Sequence, residues 1–164
     1  MESFDYVIVG AGSAGSVLAA ELSRDAGIGV LLLESGPPDT SPLIHMPRGI
    51  GKLLQPGNPH VWHYKAGQGP GRGEEDWLKG RTLGGSSSVN GMVWMRGLPS
   101  EYDDWAAMGN TGWGWADIGR CLKAIEAHEL GEAEWRGGSG PLKISVHPAD
   151  HPLYESILQA AQQA

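Results

Sequence analysis

Three glycines near the N-terminus, Gly10, Gly12 and Gly15, are spaced as G-x-G-x-x-G. Glycines at this spacing let the chain turn tightly, approach a bulky anion closely and pack a helix against the preceding strand. The backbone N–H groups of Ser13 and Ala14 would open that helix, and they are available to a diphosphate because they have no acceptor within the helix. The pattern therefore predicts the diphosphate-binding turn of a dinucleotide site.

The residues around this turn predict the strand–helix–strand unit that the motif requires. Residues 6–9 and 30–33 are short, continuous apolar runs typical of buried parallel strands, and residues 13 to about 26 have helical spacing. Glu34 follows the second strand, 19 residues after Gly15, where its carboxylate can accept hydrogen bonds from ribose hydroxyls. A 2′-phosphate would be repelled there, which disfavours NADP. This motif alone fits NAD as well as FAD.

A second glycine-rich stretch runs from Gly80 to Gly97. Gly84 and Gly85 are followed by three serines, a composition that predicts a second concave array of backbone N–H donors, with a serine capping a helix that follows. We expect the two glycine turns to hold one diphosphate from opposite sides.

This stretch resembles the first signature of the glucose–methanol–choline (GMC) oxidoreductases, which reads Gly-basic-x-Leu-Gly-Gly-Ser-Ser-x-aliphatic-Asn and continues with an aromatic residue, a glycine and an acid. Trp94, Gly97 and Asp103 occupy the later places. The resemblance covers essentially the whole chain. It implies that Gly85 and Ser86 lie near the phosphates of FAD. It also implies that four residues lie beside the isoalloxazine ring: Asn90, Gly91, Met92 and Val93.

The GMC resemblance implies a reaction as well as a cofactor. The expected reaction is oxidation of a primary or secondary alcohol to an aldehyde or ketone, with hydride transfer to flavin N5 and with a quinone, oxygen or another carrier as the electron acceptor. Val89 holds the place of the family's flavin-linking histidine, so non-covalent FAD is expected. The catalytic histidine of the family lies far beyond Ala164, and we assign no catalytic residue.

The expected fold class is α/β, a Rossmann-like FAD-binding βαβ fold that is incomplete in this chain. Residues 1–164 would form the N-terminal part of an FAD-binding domain. Its segments would be a dinucleotide fingerprint (1–36), a Pro/Gly-rich excursion (37–79), the second FAD-contact motif (80–105) and a helical and short-strand segment (106–164). In the last segment and just before it we expect helices at 102–105, 118–127 and around 153–161, and a strand at 142–146.

Composition excludes several other functions. The net charge of −7 and the pI of about 5.3 argue against a nucleic-acid partner, which would need a basic face. The single cysteine, Cys121, excludes an intrachain disulfide and is expected in the core, and no residue pattern predicts a metal site. The N-terminus lacks the pattern of a signal peptide, so we expect a cytoplasmic protein, with peripheral membrane contact left open.

Two other functions remain open from the residues. An NAD-dependent dehydrogenase domain would explain Gly10–Gly15 but would leave the Gly84–Asn90 stretch unexplained. A non-catalytic nucleotide-binding module would keep the fold and lack the chemistry.

Overall fold

The structure is a computed structural model that describes residues 2–67, 69, 73–148 and 151–163. The chain forms two compact units, which divide between Val93 and Trp94. The first unit contains, in chain order, β1 (Tyr6–Val9), α1 (Ser13–Leu22), β2 (Val30–Leu33), α2 (Pro42–His45), a 3-10 turn (Pro47–Gly49), α3 (Ile50–Leu53), β3 (Val61–Gly67), β4 (Glu74–Gly80) and a second 3-10 turn (Gly85–Ser88).

The predicted βαβ unit is present, but the expectation of buried strands was wrong: β1 is mostly exposed and β2 is mostly half-buried, since in the described residues they pack mainly against each other and α1. Strands β1 and β2 pair in parallel, from Tyr6 opposite Val30 to Val9 opposite Leu33, and α1 connects them. The helix ends at Leu22 rather than near residue 26. Past its end, the Asp25 carboxylate accepts the N–H of Gly27 at 2.9 Å, so a local turn replaces the helical hydrogen bonds.

The Pro/Gly-rich excursion contains an antiparallel hairpin that the sequence reading did not identify. Strands β3 and β4 pair from Val61 opposite Gly80 to Gly67 opposite Glu74. Most side chains of both strands are exposed, so burial gives them little sequence signature. Pro70, one of the prolines that suggested an irregular excursion, lies outside the described residues.

The core of the first unit is small. Leu53, Val61 and Val89 are buried together, and partly buried apolar residues surround them: Leu43, Ile44, Leu54 and Leu78. Thr82 is fully buried, and its hydroxyl donates to the carbonyl of Pro37 at 2.7 Å. This bond ties the chain after β4 to the chain after β2, and so it places the second glycine turn beside the first.

The second unit contains α4 (Pro99–Ala107), α5 (Trp115–Ile125), β5 (Glu126–His128), β6 (Leu142–Ile144) and α6 (Pro152–Gln163). The helices expected at 102–105 and around 153–161 are present. The helix expected at 118–127 ends two residues early, because Glu126 begins a parallel pairing with Leu142. The strand expected at 142–146 stops at Ile144. Cys121 is exposed on α5, so the expectation of a core thiol was wrong.

A buried carboxylate organises the second unit. Glu126 is 1 % exposed, and its oxygens accept hydrogen bonds from the Trp94 indole at 2.6 Å, from Arg96 Nε at 2.7 Å and from the backbone N–H of Gly137 at 2.9 Å; Arg96 Nη2 also donates to it. Burial raises the pKa of Glu126. The donors Arg96, Gly137 and Trp94 outweigh burial and lower this pKa from 4.5 to about 2.

Replacement of Glu126 by Gln should lower the free energy of unfolding by about 3 kcal/mol, because the partly buried Arg96 guanidinium loses its buried counter-charge. Urea denaturation at neutral pH measures this loss. Glu132→Gln is the matched control. Glu132 pairs with Lys123 at 3.1 Å on the surface of the same unit, and we expect its loss to cost less than about 1 kcal/mol.

The stabilisation from Glu126 should also depend on pH. Because the pKa is lowered on folding, the contribution is complete above about pH 4.5 and is lost as the pH falls towards about 2. The native protein and Glu126→Gln should therefore converge in stability on acidification. A difference that stays constant down to the acid limit would contradict the assignment of a buried, ionised Glu126.

Candidate dinucleotide-binding site

The first glycine turn connects β1 to α1 through a tight backbone path. Gly10 has φ +98°, and its N–H donates to the carbonyl of Leu33 at 2.7 Å. A Cβ added to Gly15 would lie 1.9 Å from the Gly10 carbonyl oxygen and 3.2 Å from Ile8. Glycine at position 15 therefore lets α1 lie directly against the turn and the strand, as the sequence motif predicts.

Glu34 holds this turn from the end of β2. Its Oε2 accepts the N–H of Ala11 and its Oε1 accepts the N–H of Gly36, both at 2.8 Å. Burial raises the pKa of Glu34, but hydrogen bonds from Gly36, Ala11 and Ser35 outweigh it and lower this pKa below its ordinary value. The carboxylate is therefore ionised at neutral pH. Ala11 and Gly36 donate to different oxygens of this carboxylate, and each oxygen can accept more than one hydrogen bond.

The second glycine turn is a 3-10 turn at Gly85–Ser88, and two residues at its start have left-handed backbone: Gly84 just before it, at φ +86°, and Gly85, its first residue, at φ +54°. The expected helix after this turn is absent, since residues 89–98 have no regular structure and the next helix begins at Pro99. The Ser86 hydroxyl accepts the N–H of Gly80 at 3.1 Å and so fixes the turn to β4 instead of capping a helix.

The two glycine turns touch each other. The N–H of Gly84 donates to the carbonyl of Ala11 at 2.8 Å, and a Cβ added to Gly85 would lie 2.7 Å from the Cα of Gly12. The hydroxyls of Ser13 and Ser87 are hydrogen-bonded at 2.7 Å. The turns therefore lie side by side and form one continuous surface. The expectation that they enclose a diphosphate from opposite sides was wrong, because no space separates Gly12 from Gly85.

This joint surface has the chemistry of an anion site. The first N–H groups of α1 have no acceptor within the helix, and no side chain caps them. Ser13, Ala14, Ser86 and Ser87 are exposed. Helix N-termini and glycine-rich turns bind phosphate through backbone N–H groups, without requiring a basic side chain. The surface therefore fits a diphosphate, and the adjacent carboxylate of Glu34 fits a neutral polyol such as ribose.

The segment Asn90–Val93, which the GMC resemblance places beside a flavin, follows this surface along the chain. All four residues of this segment are exposed, and Val93 is 76 % exposed. The Asn90 side-chain oxygen accepts the N–H of Met92 at 2.8 Å, and Met92 has φ +58°. Asn90 and Met92 also line an open pocket of about 250 Å³, whose opposite wall comes from residues 39–53.

Sequence reasoning missed three residues that build this site: Ala11, Thr82 and Ser87. For Ser87, the only sequence feature that could have indicated a role in the site was the run of three serines. Within the described ranges, no cluster of three or more His, Cys, Asp or Glu is placed to hold a metal ion. None of the helices in those ranges has the length and apolar character that a membrane span requires.

Substitution of Gly85 by Ala should destabilise the protein by about 2 kcal/mol or more, because the new methyl group would overlap Gly12 in a left-handed backbone conformation. Thermal unfolding measures this effect. The control is Gly51→Ala in α3, where an added Cβ has no neighbour within 4 Å and should stabilise the helix slightly. Equal stability of the two variants would contradict the close contact between the turns.

Replacement of Glu34 by Gln should lower the free energy of unfolding by about 1–3 kcal/mol, since the Gln amide group cannot accept one of the two backbone N–H groups. The lowered pKa means that the carboxylate stabilises the protein at neutral pH and loses this effect as the pH falls through its folded-state pKa. Urea denaturation at several pH values measures both effects. Glu21→Gln, at an exposed pair with Arg24, should change stability far less.

Comparison with known proteins agrees with this geometry. The sequence profile of the GMC oxidoreductases matches residues 4–164. The mitochondrial choline dehydrogenase of Mus musculus is 40 % identical over an alignment of 172 residues, which covers 99 % of this chain and 29 % of that protein. The oxygen-dependent choline dehydrogenase of Brucella ovis is 38 % identical over 162 residues, with coverage of 98 % and 29 %. The chain thus spans less than a third of the length of these relatives.

Solved structures show the same fold. Pyridoxine 4-oxidase from Mesorbium loti superposes with a TM-score of 0.87 at 38 % identity, over 98 % of this chain and 32 % of that one. A variant of formate oxidase from Aspergillus oryzae, studied for FAD modification, gives a TM-score of 0.82 at 29 % identity, over 97 % and 30 %. The expected fold class, an incomplete Rossmann-like FAD-binding fold, is confirmed. The chain belongs to the GMC oxidoreductase family.

Proposed function

We propose that this chain forms the N-terminal part of the FAD-binding domain of an oxidoreductase that acts on a CH–OH group. One observation carries the proposal above all others: the two glycine turns join into a single surface that contains the uncapped start of α1 and the exposed Ser86 and Ser87, with the Glu34 carboxylate beside it. A dinucleotide needs this combination, because its diphosphate is anionic and its ribose offers hydroxyl donors.

FAD is the cofactor of this fold, as expected from the sequence. The residues proposed to contact it form three groups. The first turn contributes Gly10, Gly12, Ser13, Ala14 and Gly15: the N–H groups at the start of α1 bind the diphosphate, and the glycines allow its close approach. The second turn contributes Gly85 and Ser86 to the same surface. Glu34 accepts hydrogen bonds from the ribose through the lone pairs that Ala11 and Gly36 leave free.

The flavin ring is proposed to lie against Asn90, Gly91, Met92 and Val93. Two of these residues expose large apolar side chains, Met92 at 58 % and Val93 at 76 %, and a planar apolar ring would cover such surface. Val89 precedes them and is buried in the core, and its side chain has no nucleophilic atom, which supports non-covalent binding. When bound, FAD supplies the hydride acceptor at N5.

The alcohol oxidation itself belongs to the whole protein. The relatives described above are named for choline and pyridoxine, both of which carry a primary alcohol, and a small alcohol is therefore the proposed substrate. No residue of this chain is assigned as the catalytic base. The proposed electron acceptor is a quinone, oxygen or another carrier. A cytoplasmic location and peripheral membrane contact remain predictions.

Cofactor analysis of the purified protein that carries this sequence tests the proposal. We expect flavin absorption in the visible range and release of intact FAD when the protein is denatured. Anaerobic addition of choline or pyridoxine should bleach the flavin bands if either alcohol is a substrate. The Gly85→Ala variant, purified in parallel, should retain less FAD.

Other outcomes would identify the alternatives. Release of NAD in place of FAD would support a nicotinamide-dependent dehydrogenase domain. Failure to bind either dinucleotide in the folded protein would support a non-catalytic module and would overturn the FAD proposal. Flavin that stays attached after denaturation would contradict non-covalent binding.

A further inference from the structure

Met92 has a backbone conformation that other side-chain-bearing residues in this structure avoid. In the described parts of the chain, ten residues have positive φ, and Met92 at +58° is the only one that is not a glycine. The others are Gly10, Gly57, Gly69, Gly84, Gly85, Gly97, Gly109, Gly112 and Gly131. A left-handed conformation disfavours a non-glycine residue by about an order of magnitude in population. Something in the local structure must therefore offset this cost.

The side chain of Asn90 offers that compensation. Its Oδ1 accepts the N–H of Met92 at 2.8 Å, which closes a turn of the kind that Asn side chains form with the backbone two residues later. Asn90 is itself exposed, and this bond spans only two residues, so it acts locally on the backbone of residues 90–92.

Residue 92 carries a side chain although glycine would adopt φ +58° at no steric cost. The other nine residues with positive φ in the described ranges are all glycines. Met92 instead places a flexible apolar side chain at the wall of the 250 Å³ pocket, which also contains Leu43 and Ile50. Strained backbone that persists in this way is typical of binding sites.

We infer that Asn90 is a positioning residue. Its side chain holds Met92 in the left-handed conformation, and the segment Asn90–Val93 therefore already has the backbone conformation that binds the flavin. The inference rests on the proposed function. It assigns to the Asn90 side chain a conformational role rather than a direct contact with the cofactor. Without the Asn90 bond, only a fraction of the molecules would have the binding-competent backbone, and the apparent FAD affinity would fall by that fraction.

Substitutions at both positions separate a conformational role from a direct contact. In the protein that carries this sequence, Asn90→Ala should weaken FAD binding about tenfold. The same substitution in a Met92→Gly background should change the FAD affinity by less than about twofold, because glycine adopts positive φ without a stabilising hydrogen bond. In a Met92→Ala background, the tenfold loss should return, since alanine has the same steric restriction as methionine. Titration of the cofactor-free variants with FAD measures each affinity.

The results decide between the two roles. An equal loss in all three backgrounds would mean that Asn90 contacts FAD directly, and it would overturn the inference. Unchanged affinity in every variant would overturn it as well, while leaving the proposed function intact. A parent protein that binds no FAD would instead overturn the proposed function. Hydrogen exchange of the Met92 amide in cofactor-free protein provides a second readout, and exchange that Asn90→Ala leaves unchanged would contradict the turn.

Discussion

The first unit depends on the backbone contact between its two glycine turns. The Ala11 carbonyl accepts the N–H of Gly84, and Gly85 approaches Gly12 so closely that position 85 has no space for a side chain. Residues more than 70 positions apart in sequence thus form one surface. Thr82 and Glu34 hold this contact from either side through backbone groups of the chain after β2 and of the first turn.

An acidic chain can bind an anionic dinucleotide because its backbone supplies the positive ends of the dipoles. The net charge is −7, and the proposed diphosphate surface consists of turn and helix N–H groups. Glu34 lies beside this surface, and the backbone N–H groups of Ala11 and Gly36 already stabilise its carboxylate. Its charge therefore helps to order the turn that is proposed to receive the phosphates, and in the proposed site it would also accept hydrogen bonds from hydroxyl donors. The proposed binding would thus use groups that stabilise the fold.

The parts of the structure that the sequence predicted are those that local signals determine. The β1–α1–β2 unit has contiguous apolar strands and glycines at fixed spacing, and its elements appear in the expected order, although its strands are not buried. The β3–β4 hairpin is held by strand pairing with exposed side chains, which leaves no hydrophobic period to detect. Strand β5 forms because Glu126 meets Leu142, a partner 16 residues away. The bond between Asn90 and Met92 likewise depends on backbone angles that residue types do not specify.

The open edges of the parallel pair β1 and β2 affect the solubility of this chain on its own. Each strand hydrogen-bonds only to the other among the described residues, so the outer edge of each has free backbone groups. Apolar side chains stand beside those edges, with Val7 57 % and Val9 84 % exposed. Unprotected edges of this kind join to one another between molecules. While these edges stay open, the chain would tend to precipitate through strand addition, and covering the edge of β1 would improve its solubility.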